Sequence, residues 1–479
     1  MNRRLFALVS LVMALSMVLT ACAQPAPAPA ATQPPQIIKE TVVIKETVAA
    51  PEPTALPDRV QIYWYIGLGA GAQKDDIPKE KAFCDKFNAS QHEIQLIPVV
   101  VDNNYARDNL KAQIAAGNAP DIVGPVGKKG RGFFPGAFVD LMPLINEFKY
   151  DLSDVDQKFL DFYKDEGKVV GLPFAIFPSF TYYNKALFDE AKLPYPPEKY
   201  GEKYDGREWN MDTVRDLAMK LTVDANGNDA TDPAFDPKNI VQYGLEIQWT
   251  DARGYATAFG GGALVDDKGN AQVPEHWKAA WEWMYKGMWT DHCIPTQAAV
   301  DSDLMGGNPF GSGVVGMAFC HLWFAPCCIP KEKVKEWGIA AMPSYNGTVT
   351  AKLHGDTFSI MAGSKHPKEA FKVLSYMLGE GSADLYAIYG GMPARKAQQA
   401  AFFEELSKTV APSKPNWQVA LDSIQYFDDP NHEAGLPNYA KADEAILAFG
   451  TDLRSTPNLD VAKRIDDLKT ALDAIYKEK

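Results

Sequence analysis

This sequence predicts an α/β protein with two lobes built on doubly wound sheets, and three observations lead there. Short β-type runs alternate with helical patterns in the first folded stretch, the order that builds a parallel sheet with helices on both faces. About 420 residues follow the N-terminal segment, beyond the ~250–300 at which one hydrophobic core stops growing. The 479 residues are 46% hydrophobic and 11% aromatic, enough apolar side chain to fill two such cores.

The N-terminus reads as a targeting segment. Arg3 and Arg4 precede an apolar run from Leu5 to Leu19, followed by Thr20, Ala21 and Cys22. A positive start, a short apolar centre and small residues at the cut are the features of an export signal. The run falls short of the ~20 residues of a membrane span. A cysteine at that position resembles the lipobox of bacterial lipoproteins, so Cys22 is the expected site of lipidation. The mature chain is then expected to be extracytoplasmic and lipid-anchored to the bacterial cell membrane. Residues 22–57 are rich in Ala and Pro, carry the doubled unit Ile37–Val42 and Val43–Val48, and read as a Pro-rich tether. No later apolar stretch approaches a span length.

The folded part opens with a strand, Gln61–Ile66, that runs into the turn Gly67-Leu68-Gly69-Ala70-Gly71. Residues 79–88 place Ala82, Phe83 and Phe87 on one face of a helix. Ile94–Val101 is a second strand, Tyr105–Ala116 a second helix stopped by Gly117, and Asp121–Gly124 a third short strand. This βαβαβ order implies parallel pairing with ligand at the carboxyl ends of the strands. Pro274–Trp289 reads as one helix, in which Trp277 and Trp281 share a face and are assigned to the core. From Lys365 the chain turns mostly helical, starting with a helix from Pro367 to Leu378.

Charge and motifs exclude several function classes. A formal net charge of −13 argues against a nucleic-acid-binding surface. No Gly-x-Ser-x-Gly, His-Glu-x-x-His, phosphate-binding loop or dinucleotide fingerprint is present, so neither a cofactor nor catalysis is expected. A secreted glycoside hydrolase needs only two carboxylates and stays open as an alternative, as does an envelope adhesin or scaffold. Five cysteines follow Cys22, and the odd number leaves at least one free. Cys84 is one of the five; export makes Cys293 a disulfide candidate with Cys320, Cys327 or Cys328, while an adjacent Cys327–Cys328 bridge stays open. The pairs His292-Cys293, Cys320-His321 and Cys327-Cys328 fit no standard zinc spacing, and no metal is expected. Asp224 to Asp232 resembles half a calcium loop without its closing Glu, and reads as an Asx-rich turn.

An ordered set of short motifs resembles the family-1 extracellular solute-binding proteins. It comprises Phe87-Asn88, Ala115-Ala116-Gly117-Asn118-Ala119-Pro120-Asp121-Ile122-Val123, Gly171-Leu172-Pro173-Phe174 and Tyr182 to Phe188. Trp209 to Thr213, Tyr243-Gly244, Gly261-Gly262 and Gly390 to Ala394 follow in family order. The resemblance covers residues 58–479 and implies a fold like that of the maltose-binding protein. It implies lobe 1 at 58–175 and 360–410, and lobe 2 at 176–359 and 411–479. Thr181-Tyr182-Tyr183 and Leu353-His354-Gly355-Asp356 become the expected hinge strands. It further implies a monomer that captures a small solute, most often a sugar, and delivers it to an ABC permease.

Sugar recognition needs flat apolar faces and planar polar groups, which selects the candidate site residues. Trp64 and Tyr65 end the first strand beside its Gly-rich turn; Trp249, Asp251, Arg253 and Tyr255 cluster after Tyr243-Gly244. Trp323 falls where many family members place a stacking ring. Asp121 and Asp356 are acceptor candidates, while Met392 and Arg395 are assigned to the rim. Alternation along a strand lets at most one of Tyr182 and Tyr183 face the cleft.

Overall fold

Ten strands hydrogen-bond into one mixed sheet in the computed structural model, which describes residues 59–478 other than Glu166. The export signal, Cys22 and the tether lie outside the described residues. The strands are β1 (Val60–Ile66), β2 (Ile94–Val100), β3 (Ile122–Val126), β4 (Leu172–Asn184), β5 (Val223–Asp224), β6 (Ile240–Ile247), β7 (Val315–His321), β8 (Trp337–Ala340), β9 (Leu353–Ile360) and β10 (Met392–Pro393). Their order is β2-β1-β3-β9-β4-β7-β6-β5, with β8 and β10 also pairing with β4.

The first βαβαβ stretch forms as its pattern predicts. Helices α1 (Ile77–Ser90) and α2 (Asn103–Ala115) cross between the strands. β1 runs parallel to β2 from Val60↔Ile94 to Ile66↔Val100, and parallel to β3 at Trp64↔Ile122. In α1, Phe83, Cys84 and Phe87 are buried; in α2 the Asp102 carboxylate accepts the backbone N–H of Asn104, capping the helix start.

Beyond β3 the sheet departs from purely parallel. β9 pairs antiparallel with both β3 and β4, and β4 pairs antiparallel with β7. β4 is the cause: its thirteen residues are all buried, and its two ends serve different neighbours. Residues 172–178 pair with β9, from Phe358↔Leu172 to Leu353↔Pro178, whereas Ser179–Tyr183 pair with β7. The expected hinge segment Leu353–Asp356 thus lies against Ala175–Pro178, and Thr181–Tyr183 lie beyond that crossing.

Apolar side chains gather into three main cores. Trp64, Phe83, Phe174, Phe358 and Phe371 share one; Trp209, Trp277, Trp281, Phe449 and Leu468 share another. Phe180, Tyr182, Phe310, Trp337 and Phe403 form the third. Alternation in β4 sends Tyr182 and Tyr183 to different cores. Trp277 and Trp281 lie in helix Glu275–Trp289, fully buried, and their indole N–H groups donate to Gly260 O (2.9 Å) and Ala252 O (2.7 Å). Each large ring is therefore sunk without an orphaned donor.

The cysteine pairing differs from the expected Cys293 link. Cys327 and Cys328 bond each other, while Cys84, Cys293 and Cys320 are free and buried. Cys293 belongs to the core around Trp281 and Cys320 to the core around Tyr182, which keeps their side chains in separate environments. Burial holds both thiols up at about 12. In the Asp224 loop, Asp224 accepts backbone N–H groups of Asn226 (2.8 Å), Asn228 (3.0 Å) and Asp236 (2.8 Å), the geometry of an Asx-rich turn. Among the described residues no helix is long and apolar enough to cross a membrane.

Candidate ligand-binding site

Two cavities of about 540 and 530 Å³ open side by side and share Lys129, His354 and Glu433 as a common wall. The strand ends explain their position. Trp249 follows the carboxyl end of β6 and Trp323 the carboxyl end of the adjacent parallel strand β7. Leu68, Gly69 and Ala70 follow β1, and Gly127 with Lys129 follow β3. Carboxyl ends of parallel strands thus converge on one place, the usual ligand position of such sheets.

Trp249 and Trp323 form the aromatic wall. Their rings are parallel to within 2°, with centroids 5.8 Å apart. Trp249 holds a left-handed backbone (φ 49°), sparsely populated for a bulky residue, and the residue is 42% exposed. Its indole N–H donates to Gly307 O at 3.0 Å, which fixes the exposed face. An exposed Trp held in a disfavoured backbone is a candidate functional position.

Charged groups line the same cavities. Asp251 caps a short helix, Ala252–Ala256, by accepting the N–H groups of Arg253 (3.0 Å) and Gly254 (3.1 Å). Its other oxygen lies 3.3 Å from the Lys129 ammonium, which also reaches Asp443 at 3.0 Å. Burial opposes ionisation of Asp251, but Arg253 and Lys129 outweigh it and hold the carboxyl well below the usual range. Burial likewise works against the Lys129 ammonium, and Asp251 and Asp443 reverse the effect and raise its pKa. Asp356 has no such cation: burial, with Glu433 nearby, pushes it up to about 7. It projects into the second cavity beside Trp323.

Three histidines cluster at the shared wall: His354 lines both cavities, His432 the first, and His321 is buried behind them. His321 ends β7, His354 lies in β9 and His432 sits in the loop before helix Tyr439–Ser455. His321 and His354 stack with ring centroids 3.6 Å apart, and His354 Nε2 faces His432 Nε2 at 3.2 Å. Burial pushes His354 down to about 4 and His321 well below its ordinary value, so both rings are neutral at pH 7.

Trp249, Trp323, Asp251, Tyr255 and Asp356 of the sequence candidates reach these cavities. Others do not. Trp64 is fully buried between Phe83 and Phe358, donating to Gly124 O at 2.7 Å, because its strand position faces the core rather than the turn. Tyr65 is buried on the other face, donating to Ala106 O at 2.7 Å. Tyr182 donates to His321 O at 2.9 Å inside the third core, and Tyr183 to Glu198 at 3.0 Å, so neither faces the cavities. Met392 is fully buried where β10 pairs with Ile176. Asp121 sits at the amino end of β3, opposite the cavities, accepting Tyr63 N–H (2.9 Å) and the Ser364 hydroxyl (2.5 Å). Arg253 is 2% exposed and points behind Asp251 to Ala434 O (3.3 Å) and the Tyr439 hydroxyl (3.4 Å). Arg395 is held by Asp154 and the Tyr150 hydroxyl.

Lys129, His321, His354, His432 and Glu433 were not among the sequence candidates. The run Gly127-Lys128-Lys129-Gly130-Arg131-Gly132 directly after β3 is a readable signal for Lys129, given where such sheets bind ligand. The histidines come from three distant segments with no shared spacing.

Comparison with known proteins gives the chain its family. A family described as bacterial extracellular solute-binding protein matches residues 82–412. A putative binding protein of Brucella abortus (strain 2308) is 27% identical over 311 residues, covering 59% of this chain and 69% of that protein. M. tuberculosis UspC superposes with a TM-score of 0.66 at 18% identity, covering 87% of this chain and 100% of that one. An ABC substrate-binding protein of Listeria monocytogenes, in complex with cycloalternan, gives a TM-score of 0.65 at 17% identity, covering 88% and 99% of the two chains. The architecture is therefore the two-lobed fold of periplasmic binding proteins, and the chain belongs to the bacterial extracellular solute-binding protein family.

Proposed function

We propose that this protein is the substrate-binding component of an ABC importer, capturing a mono- or oligosaccharide by closure of two lobes and handing it to a membrane permease. The observation that carries this reading is the pair of parallel indole rings, Trp249 and Trp323, beside Asp251 and Asp356. Indole faces suit the C–H side of a pyranose, and carboxylates suit its hydroxyls. Cavities of this size accept one or two sugar rings each. The L. monocytogenes protein of the same fold carries an oligosaccharide, which supports the cargo class. In this reading Cys22 carries the lipid and the protein works as a monomer outside the cytoplasm. The lobes comprise 58–175 with 360–410, and 176–359 with 411–479; the core around Trp281 falls within the second, while Phe358 in the core around Trp64 and Phe403 in that around Tyr182 pack across the boundary. Membership of a binding-protein family favours capture without turnover over a hydrolase or an adhesin.

A thermal-shift screen of sugars, polyols, sugar phosphates, amino acids and peptides tests the proposal. Ligand bound only to the folded state adds about 2.7 kcal/mol at a hundred times its dissociation constant. A large shift with saccharides, without product formation, is the expected result; a shift confined to amino acids or peptides would overturn the cargo class.

A further inference from the structure

We infer that His321, His354 and His432 form a binding site for a divalent transition-metal ion, zinc being the best fit, adjoining the wall shared by the two cavities through His354. The ligating atoms of the three side chains lie within 4.8 Å of one another. Two ligands at the usual 2.0–2.1 Å from tetrahedral zinc are separated by about 3.3 Å, and His354 Nε2 and His432 Nε2 stand 3.2 Å apart. The remaining closure, up to about 1.5 Å for the widest pair, requires the stacked His321 and His354 rings to turn so that both in-plane lone pairs meet one ion.

His321 supplies the observation that points to a ligand. It is fully buried, and neither ring nitrogen has a hydrogen-bond partner. A buried orphaned imidazole is destabilising unless something satisfies it. A metal ion at this position removes that cost through one ring nitrogen.

Surrounding groups complete the arrangement. His432 Nδ1 lies 2.7 Å from a buried Asp428 oxygen, which places the proton on Nδ1 and leaves Nε2 as a lone pair aimed at His354. That carboxylate–imidazole contact is the outer shell typical of metal-binding histidines. Glu433 Oε1 is 3.5 Å from His354 Nε2 and offers a fourth, anionic ligand. Lys352, buried and without a hydrogen-bond partner, places opposing positive charge near His321; Asp428, Asp251 and Glu433 offset it. His354 and Glu433 line both cavities, so the ion would lie within reach of whatever fills them. Three imidazoles with one carboxylate select zinc, cobalt or nickel over calcium and magnesium.

The test needs no cargo, so it is independent of the carbohydrate reading. The purified chain is stripped with chelator and equilibrated with zinc alone, and bound metal is counted by mass spectrometry after dialysis. One zinc per chain is expected, with His354→Gln and His432→Gln each weakening it at least 100-fold and His366→Gln, an exposed control, leaving it unchanged. Circular dichroism establishes that the variants fold. Should they unfold, cobalt substitution of the wild type decides: intense visible bands of a four- or five-coordinate ion support the site. A weak octahedral spectrum, or equal zinc uptake by wild type and the His354→Gln/His432→Gln double variant, overturns it.

Discussion

At the scale of single residues, exposure separates the aromatic groups proposed to meet a ligand from those that hold the fold. Trp249 and Trp323 stand at strand ends with faces toward the cavities, whereas Trp64 is sealed by Phe83 and Phe358. Trp249→Ala and Trp323→Ala are expected to weaken saccharide binding by about 2 kcal/mol each, roughly thirtyfold, with small effects on melting. Trp64→Ala, by contrast, is expected to cost 3–5 kcal/mol of stability, read by denaturant titration. Asp356 predicts a pH effect. Its folded pKa of about 7 exceeds the ordinary carboxylate value, so the folded state binds the extra proton and stability falls as pH rises from about 4 to 7. His354, pushed down to about 4, acts with the opposite sign over pH 4 to 6.5. Comparing wild type with Asp356→Asn cancels the His354 contribution. The variant's relative melting temperature is expected to rise between pH 5 and pH 8, and a flat difference would refute the assignment.

At the scale of elements, close backbone approach is the sharpest constraint. Gly244 in β6 packs so tightly on helix Met211–Lys220 that an added Cβ would stand 1.9 Å from Ala218 O and 2.4 Å from Ala218 Cα. Gly244→Ala must push the helix off the sheet, and a loss of about 3 kcal/mol or more is expected by calorimetry. Elements were also where the sequence was most readable. The periodicity of Phe83 and Phe87, the turn glycines and the motif order placed the first strands and helices within a few residues of their observed ends. What stayed hidden was contact across sequence distance. Trp64 and Tyr65 were read as cleft residues from their position at a strand end, but the side on which each ring falls depends on which helices cover the sheet. The three histidines meet only because β7, β9 and the 428–434 loop converge in space.

For the whole molecule, the fold predicts a response to ligand that no local site would show. Contacts made to both lobes at once favour a closed arrangement, so the radius of gyration measured by X-ray scattering is expected to fall on saccharide binding. An unchanged radius with saturating ligand would indicate a preformed cleft. Cys84, Cys293 and Cys320 are expected to resist alkylation in the native state by peptide mapping, since all three are buried.

β4 lends one strand to two sets of neighbours, and that bears on how the protein can be divided. Cutting the gene near residue 178 would give each half an unsatisfied sheet edge and a broken strand, so neither half should be soluble alone. A one-residue deletion there would turn the side chains of one end of the strand to the wrong faces while the other end kept its place. Split reporters and domain grafts on this scaffold therefore belong in surface loops such as that around Gly347, where added side-chain atoms meet nothing.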